Sequence, residues 1–402
     1  MIGALASFAF VLGPSEILKY ENWETSLFIF GMMAIIETMS LSGFFRWLGL
    51  HSARLVRLDP LKLFILFPFV TGFLSAFVDS ITVMLFMSTL TIEVAAHIKI
   101  RPLPLIISEI AAANIGGAST MVGDPPNVIL GTYFNLSFLD FVKNTGLIAW
   151  IGFVISTGLF IWIFRGEIFP ARSRLLQRPD LLDVQVASLE PSKAIEDKRL
   201  FAAGLISLSF VIVGLVSHQA THLSVAVIAV TGAVLAFLIG GKKVNDVIHK
   251  IDYATIVFFA GLFIIVGAME HVGLLTMVAF KVRELSGESF FAAISIILWV
   301  SALGSSIVDN VPFAATMAPI LKHLSQLPGF RLPPLVWSAA LGTDIGGNGT
   351  PIGASANVVA ISTYERMTKQ KVGWGFYCKV SYPTMMIVVL ACNALIYLFY
   401  IL

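Results

Sequence analysis

Charge is scarce in this chain. Of 402 residues, 12% are Asp, Glu, Lys or Arg, against 57% hydrophobic residues and a mean hydropathy of +0.89. Soluble domains carry about 25% charged residues. So little charge excludes a water-soluble globular protein, and the lipid bilayer becomes the expected solvent. Cysteine is also scarce. Cys378 and Cys392 are the two cysteines, both inside or beside the last apolar segment, so neither a disulfide framework nor a cysteine metal site is expected. No basic run is interleaved with aromatics, which excludes a nucleic-acid partner. The formal net charge of +2 says little else.

Bases are missing from particular places. No Lys or Arg lies between Lys62 and Lys99, between Arg101 and Lys143, between Glu288 and Lys322, or between Arg331 and Arg366. Those stretches do hold Asp79, Glu109, Asp124, Asp309 and Asp344. An acid inside a membrane costs several kcal/mol unless it is paired, protonated or wet, so each is a functional candidate. Acids without bases suit protons, a cation or a neutral polyhydroxy solute. A bare anion would need co-bound cations or helix N-termini.

What is present, and abundant, is repetition. At a shift of 230 residues Trp23 meets Tyr253, Gly31 meets Gly261, Met39 meets Met269 and Gly43 meets Gly273. Ser75-Ala76-Phe77-Val78-Asp79-Ser80 meets Ser305-Ser306-Ile307-Val308-Asp309-Asn310, and Asn127-Val128 meets Asn357-Val358. Matches on Gly, Asp, Asn and Thr exceed what two merely hydrophobic segments would share. Each half reads as a short apolar segment (1–13; 221–240), a spanning helix (24–45; 254–273) and an amphipathic connector. Two apolar arms then meet at an Asp (61–78 and 81–97; 289–307 and 311–323). An interrupted apolar stretch (103–133; 333–364) and a last spanning helix (146–165; 380–402) complete the half. An extra helix at 200–217 follows a polar loop at 166–199.

If each pair of arms re-enters on the side it left, the two halves have opposite topology. That arrangement gathers 20 of the 26 Lys and Arg on one side, which the positive-inside rule places in the cytoplasm. The expectation is a multi-pass protein of the inner (cytoplasmic) membrane, with the N-terminus and the 166–199 loop inside and the C-terminus outside.

Four places break helical backbone within apolar sequence: Val78-Asp79-Ser80, Val308-Asp309-Asn310, Gly116 to Asn127, and Gly346 to Asn357. Gly and Pro free N–H and C=O groups there, and Ser, Thr and Asn add more hydrogen-bonding groups. Paired interrupted segments in two halves point to a transporter's binding site. The candidate substrate and ion ligands are Asp79, Ser80, Asn114, Gly117, Thr120, Asn127, Asp309, Asn310, Asp344, Gly347, Asn348, Thr350 and Asn357. Asp79, Asp309 and Asp344 are the candidates for proton coupling. Capping also explains Asp79 and Asp309, and Asp124 before Pro125 reads as an N-cap. His218 and His222, four apart, read as solvated rather than as a metal pair. No catalytic residue, cofactor or metal is expected. Met121-Val122-Gly123-Asp124 lacks the first Gly of an intramembrane aspartyl protease.

At Val308-Asp309-Asn310-Val311-Pro312, Asn114 to Asn127 and Gly346 to Val359, the chain resembles the ion transporter superfamily, and within it the ArsB/NhaD/P-protein permeases. The resemblance covers nearly the whole chain. It implies an all-α elevator-type secondary transporter of two inverted repeats, each with a re-entrant hairpin and a discontinuous helix. Scaffold helices would occupy 1–60 and, with the linking helix, 200–285. The moving domain would occupy 61–165 and 286–402, and 166–199 would be a cytoplasmic loop. The implied function is proton-coupled efflux of arsenite or antimonite, with sodium/proton antiport second and sodium-coupled organic-anion transport third. Relatives are often dimers, so a homodimer is implied as well.

Overall fold

The computed structural model describes residues 22–177, 179–287 and 289–400. The apolar segment 1–13, the N-terminal placement and residues 401–402 lie outside the described residues.

The described residues are helical throughout. The first part runs α1 (Trp23–Leu41), α2 (Phe44–Leu55), α3 (Pro60–Ser75), α4 (Ser80–His97), α5 (Leu103–Gly117), α6 (Pro125–Tyr133) and α7 (Phe138–Ile163). Then come α8 (Arg165–Leu176), α9 (Pro179–Ser188) and α10 (Lys198–Thr221). The second part runs α11 (Val225–Gly240), α12 (Val244–Lys250), α13 (Tyr253–His271), α14 (Leu274–Ser286), α15 (Phe290–Ser305), α16 (Asn310–Ser325), α17 (Leu332–Gly346), α18 (Ser355–Thr368) and α19 (Trp374–Tyr400). Among the described residues, seven helices are long and apolar enough to cross a membrane. The arms α3 and α15 have 16 residues each. At 1.5 Å per residue that is roughly 24 Å, short of a hydrocarbon core of about 30 Å.

Local chemistry sets the helix starts. Asp59 accepts from the backbone N–H groups of Leu61 and Lys62, with Pro60 at the first helical position of α3. Asn22 and Asp252 cap α1 and α13 in the same way. The amphipathic α2 and α14 each start after a left-handed glycine, Gly43 (φ 82°) and Gly273 (φ 77°), 230 positions apart.

Helix α1 lies along α10 and α11. Arm α3 packs on α5, and arm α15 on α17. These contacts are close because of glycine: a Cβ at Gly116 would stand 2.1 Å from the Gly72 carbonyl oxygen, and one at Gly346 would stand 2.3 Å from that of Ala302. The second arms pack across to the other half, α4 against α18 and α16 against α6, and α7 packs on α19. The hairpins and interrupted helices are therefore interlocked.

Residues 166–199, expected as a loop, are largely helical. Ion pairs hold α8 and α9 to the base of the first hairpin: Arg172 Nε to Asp59 Oδ2 at 2.9 Å, Arg101 to Glu167 at 3.3 Å, and Arg57 to Asp183. Gln185 Nε2 also donates to the His97 carbonyl at 2.7 Å. Eight residues beyond α9, the chain is held elsewhere. The Glu196 N–H donates to the Ser42 carbonyl at 2.9 Å, and Lys243 pairs with Asp197 at 2.7 Å.

Candidate functional site

The two hairpin tips and the two helix breaks meet at the centre of the interlocked group. Each tip is shaped by its aspartate. Asp79 Oδ1 accepts from the Thr82 N–H at 2.9 Å, and Asp309 Oδ1 from the Val311 N–H at 3.1 Å. Each break is closed by a threonine and an asparagine. Thr120 Oγ1 donates to the Ala76 carbonyl at 2.5 Å, and Thr350 Oγ1 donates to that of Ser306. Asn127 Nδ2 donates to the carbonyls of Gly117 and Thr120 at 3.0 and 2.9 Å. Asn357 Nδ2 does the same for Gly347 and Thr350 at 2.7 and 2.9 Å. Carbonyls freed by a break need partners in an apolar interior, and these amides are the partners.

Asp124 behaves unlike the cap its sequence suggested. It stands at the N-cap position of α6 but makes no capping hydrogen bond. Its Oδ1 accepts from Ser80 Oγ at 2.5 Å, and its Oδ2 from Asn310 Nδ2 at 2.6 Å. One buried carboxylate thus ties both hairpin tips together. The matching position of the second half is Ala354, and there Ser355 Oγ donates to Asp309 Oδ2 at 2.5 Å instead. The sequence reading did not place Asp124 among the site ligands. The available signal was its departure from the repeat inside a motif that otherwise matches.

The asparagines form a second layer. Asn114 Nδ2 donates to Asn348 Oδ1 at 2.8 Å and to Asn357 Oδ1 at 3.1 Å. The residue 230 positions after Asn114 is Asp344, whose side chain faces Asn127. Both Asp344 oxygens, together with Asn114 Oδ1 and Asn127 Oδ1, are buried without a hydrogen-bond partner.

Among the described residues, the charged groups that act on the aspartates of this centre are other acids. The charged neighbours of Asp124 are Asp79 and Asp309, that of Asp344 is Asp124, and that of Asp79 is Asp252. A cavity of about 140 Å³ lies beside Asp79, Thr82 and Pro125, with Glu37, Lys250 and Asp252 on its other wall. Lys250 is the base there, and it acts on Glu37. A wider cleft of about 700 Å³ lies on the other side of α6, among Ile129, Tyr133, Glu270, Ala315 and Lys322. Glu109 lies apart from the centre, where Thr91 Oγ1 donates to its Oε1 at 2.7 Å. His218 lies in the last turn of α10 and His222 is its C-cap. Among the described residues no group of three His, Cys, Asp or Glu side chains is arranged to hold a metal.

Residues 1–342 match a family described as CitMHS, citrate transporter. The chain belongs to the CitMHS citrate transporter family. It is 31% identical over 378 residues to an uncharacterised transporter of Mycobacterium tuberculosis, an alignment covering 92% of this chain and 85% of that one. It is 31% identical over 467 residues to the P protein of Mus musculus, covering 96% of this chain and 56% of that one. Its fold is similar to the crystal structure of the Alcanivorax borkumensis YdaH transporter, with a TM-score of 0.61, 14% identity, and coverage of 96% of this chain and 86% of the other. The chain is thus an all-helical, multi-pass secondary transporter of the CitMHS and P-protein type. These matches support the superfamily and P-protein side of the motif resemblance. They do not single out its arsenite-permease branch.

Proposed function

We propose that this protein is a proton-coupled elevator transporter whose cargo is neutral or cationic at the binding centre. The observation that carries this reading is that acids from both halves converge at the hairpin tips with only other acids as charged neighbours. A bare polycarboxylate placed there would meet like charge on every side. Sodium, a proton or a polyhydroxy solute would meet oxygen acceptors.

In this reading the two halves are inverted repeats, and the interlocked hairpins and breaks move as one body against α1 and α10 to α13. The paired caps of α2 and α14 and the swapped packing of α4 on α18 and α16 on α6 support it. The moving body gains α8 and α9, because their ion pairs go to the first hairpin; its boundary shifts from 165 to about residue 188. Positive charge on the side of α8 and α9 puts that side in the cytoplasm of an inner membrane.

Arsenite and antimonite, largely neutral trihydroxides near neutral pH, meet the charge limit and remain the first cargo to test, as efflux against entering protons. Sodium/proton antiport is the second reading, favoured by the unpartnered oxygens of Asn114, Asn127 and Asp344. Citrate, which the family description names, would fit this centre as a complex with a cation. Everted vesicles energised with a proton gradient separate the three. Gradient-driven arsenite accumulation without sodium is the expected result. Sodium-dependent collapse of the gradient without arsenite movement would assign cation exchange. Citrate uptake without any added metal cation, unaffected by chelators, would overturn the charge argument.

A further inference from the structure

We propose that Asp344 is the proton-carrying group of the centre and that it is neutral in the conformation described here. The inference rests on the transporter reading above and deepens it, since it chooses one acid among several.

Three observations meet at this side chain. First, both of its oxygens are fully buried without a hydrogen-bond partner. An ionised carboxylate left so would bear a desolvation cost of several kcal/mol. Second, among the described residues no base reaches it. The elements packed on α17 include α15, α16, α19, α5, α6 and the π turn of α7. The cations on these elements, Lys143, Lys322 and Lys379, have exposed side chains. His323 sits in the last turn of α16, next to Thr276. Glu109 on α5 is held by Thr91, and the charged group that acts on Asp344 is Asp124, of like sign. Third, the Asn127 side chain that faces it carries an unpartnered acceptor oxygen. Asn127 Oδ1 has no donor, while the Asn127 amide nitrogen donates to the Gly117 and Thr120 carbonyls. That pair of hydrogen bonds fixes which end of the amide is oxygen.

A neutral carboxyl supplies the donor that Asn127 Oδ1 lacks. At the matching site of the other half the donor is permanent: Asn114 Nδ2 donates to Asn357 Oδ1 and Asn348 Oδ1. Position 344 is the same device with a removable proton. When protonated it behaves as Asn114 does. When it loses the proton, a carboxylate stands beside Asp124 in a buried layer between α6 and α17. Repulsion then favours a conformation in which water or a cation reaches the break. The proton is gained and lost at a carboxyl oxygen of Asp344, and no other bond changes.

Infrared difference spectroscopy on the purified protein in nanodiscs, without cargo, tests this directly. The protonated-carboxyl C=O band is expected to shift when the wild-type protein carries ¹³C-labelled aspartate, and to disappear in Asp344→Asn. It should survive in Glu109→Gln. In vesicles that transport arsenite, Asp344→Asn should lose accumulation driven by the proton gradient, down to the level of vesicles without the protein. An aspartate-insensitive band, or a carboxylate band that sodium shifts in the wild-type protein, would overturn the assignment. Neither spectrum depends on transport, so a failed assignment is distinct from a failed transporter reading.

Discussion

Asp124→Ala is expected to lose cargo transport by a factor on the order of 100 or more while the protein still inserts in the membrane. The alanine leaves Ser80 Oγ and Asn310 Nδ2 buried with no acceptor, where each now bonds the carboxylate at 2.5 and 2.6 Å. An unsatisfied buried polar group costs about 1–3 kcal/mol, and about 1.4 kcal/mol is a factor of ten. Two such groups bring the loss to the expected size. Both hairpin tips also lose the one side chain that joins them. Asp124→Asn keeps one carbonyl acceptor, so it should fall between wild type and alanine. Ser80→Ala and Asn310→Ala each remove one donor and should cost less than Asp124→Ala. Initial uptake rates beside thermal melting in detergent separate loss of the centre from loss of fold. Wild-type rates in Asp124→Ala would remove the tie between the tips from the mechanism.

Asp309→Asn should abolish both net transport and cargo counterflow with expression intact. The retained carbonyl can still accept the Val311 N–H, so the cap on α16 survives. What disappears is the charge facing Asp124 and the second acceptor, now bonded by Ser355 Oγ. Asp79 holds the matching cap, through Thr82, but opens on the 140 Å³ cavity beside Glu37 and Asp252. Counterflow at the wild-type rate in Asp309→Asn would take Asp309 out of the cargo site.

How much of this centre was legible depends on how local its cause is. The arms, the Asp turns and the breaks were readable because Asp caps, Gly and Pro act within a few residues. The observed starts of α3 and α15, at Pro60 and Phe290, fall on the repeat to the residue. The role of Asp124 was not readable. Its donors lie 44 and 186 positions away, and nothing local distinguishes a tie from a cap. The same holds for Asn114, whose acceptors lie 234 and 243 positions on. Residues 166–199 read as loop because they are polar and lack a continuous apolar stripe. Their helices are held by Arg57, Asp59 and Arg101; the two arginines entered the sequence reading only in a charge count, and Asp59 was not singled out.

The central claim is that a base-free acidic centre couples cargo to protons. The most direct test uses the purified protein in sodium-free proteoliposomes with a pH-sensitive dye trapped inside. An arsenite gradient is imposed at equal starting pH. The account predicts proton movement opposite to arsenite, with no such signal in Asp309→Asn or Asp344→Asn liposomes. Arsenite flux with no pH change, equal in wild type and both variants, would contradict it.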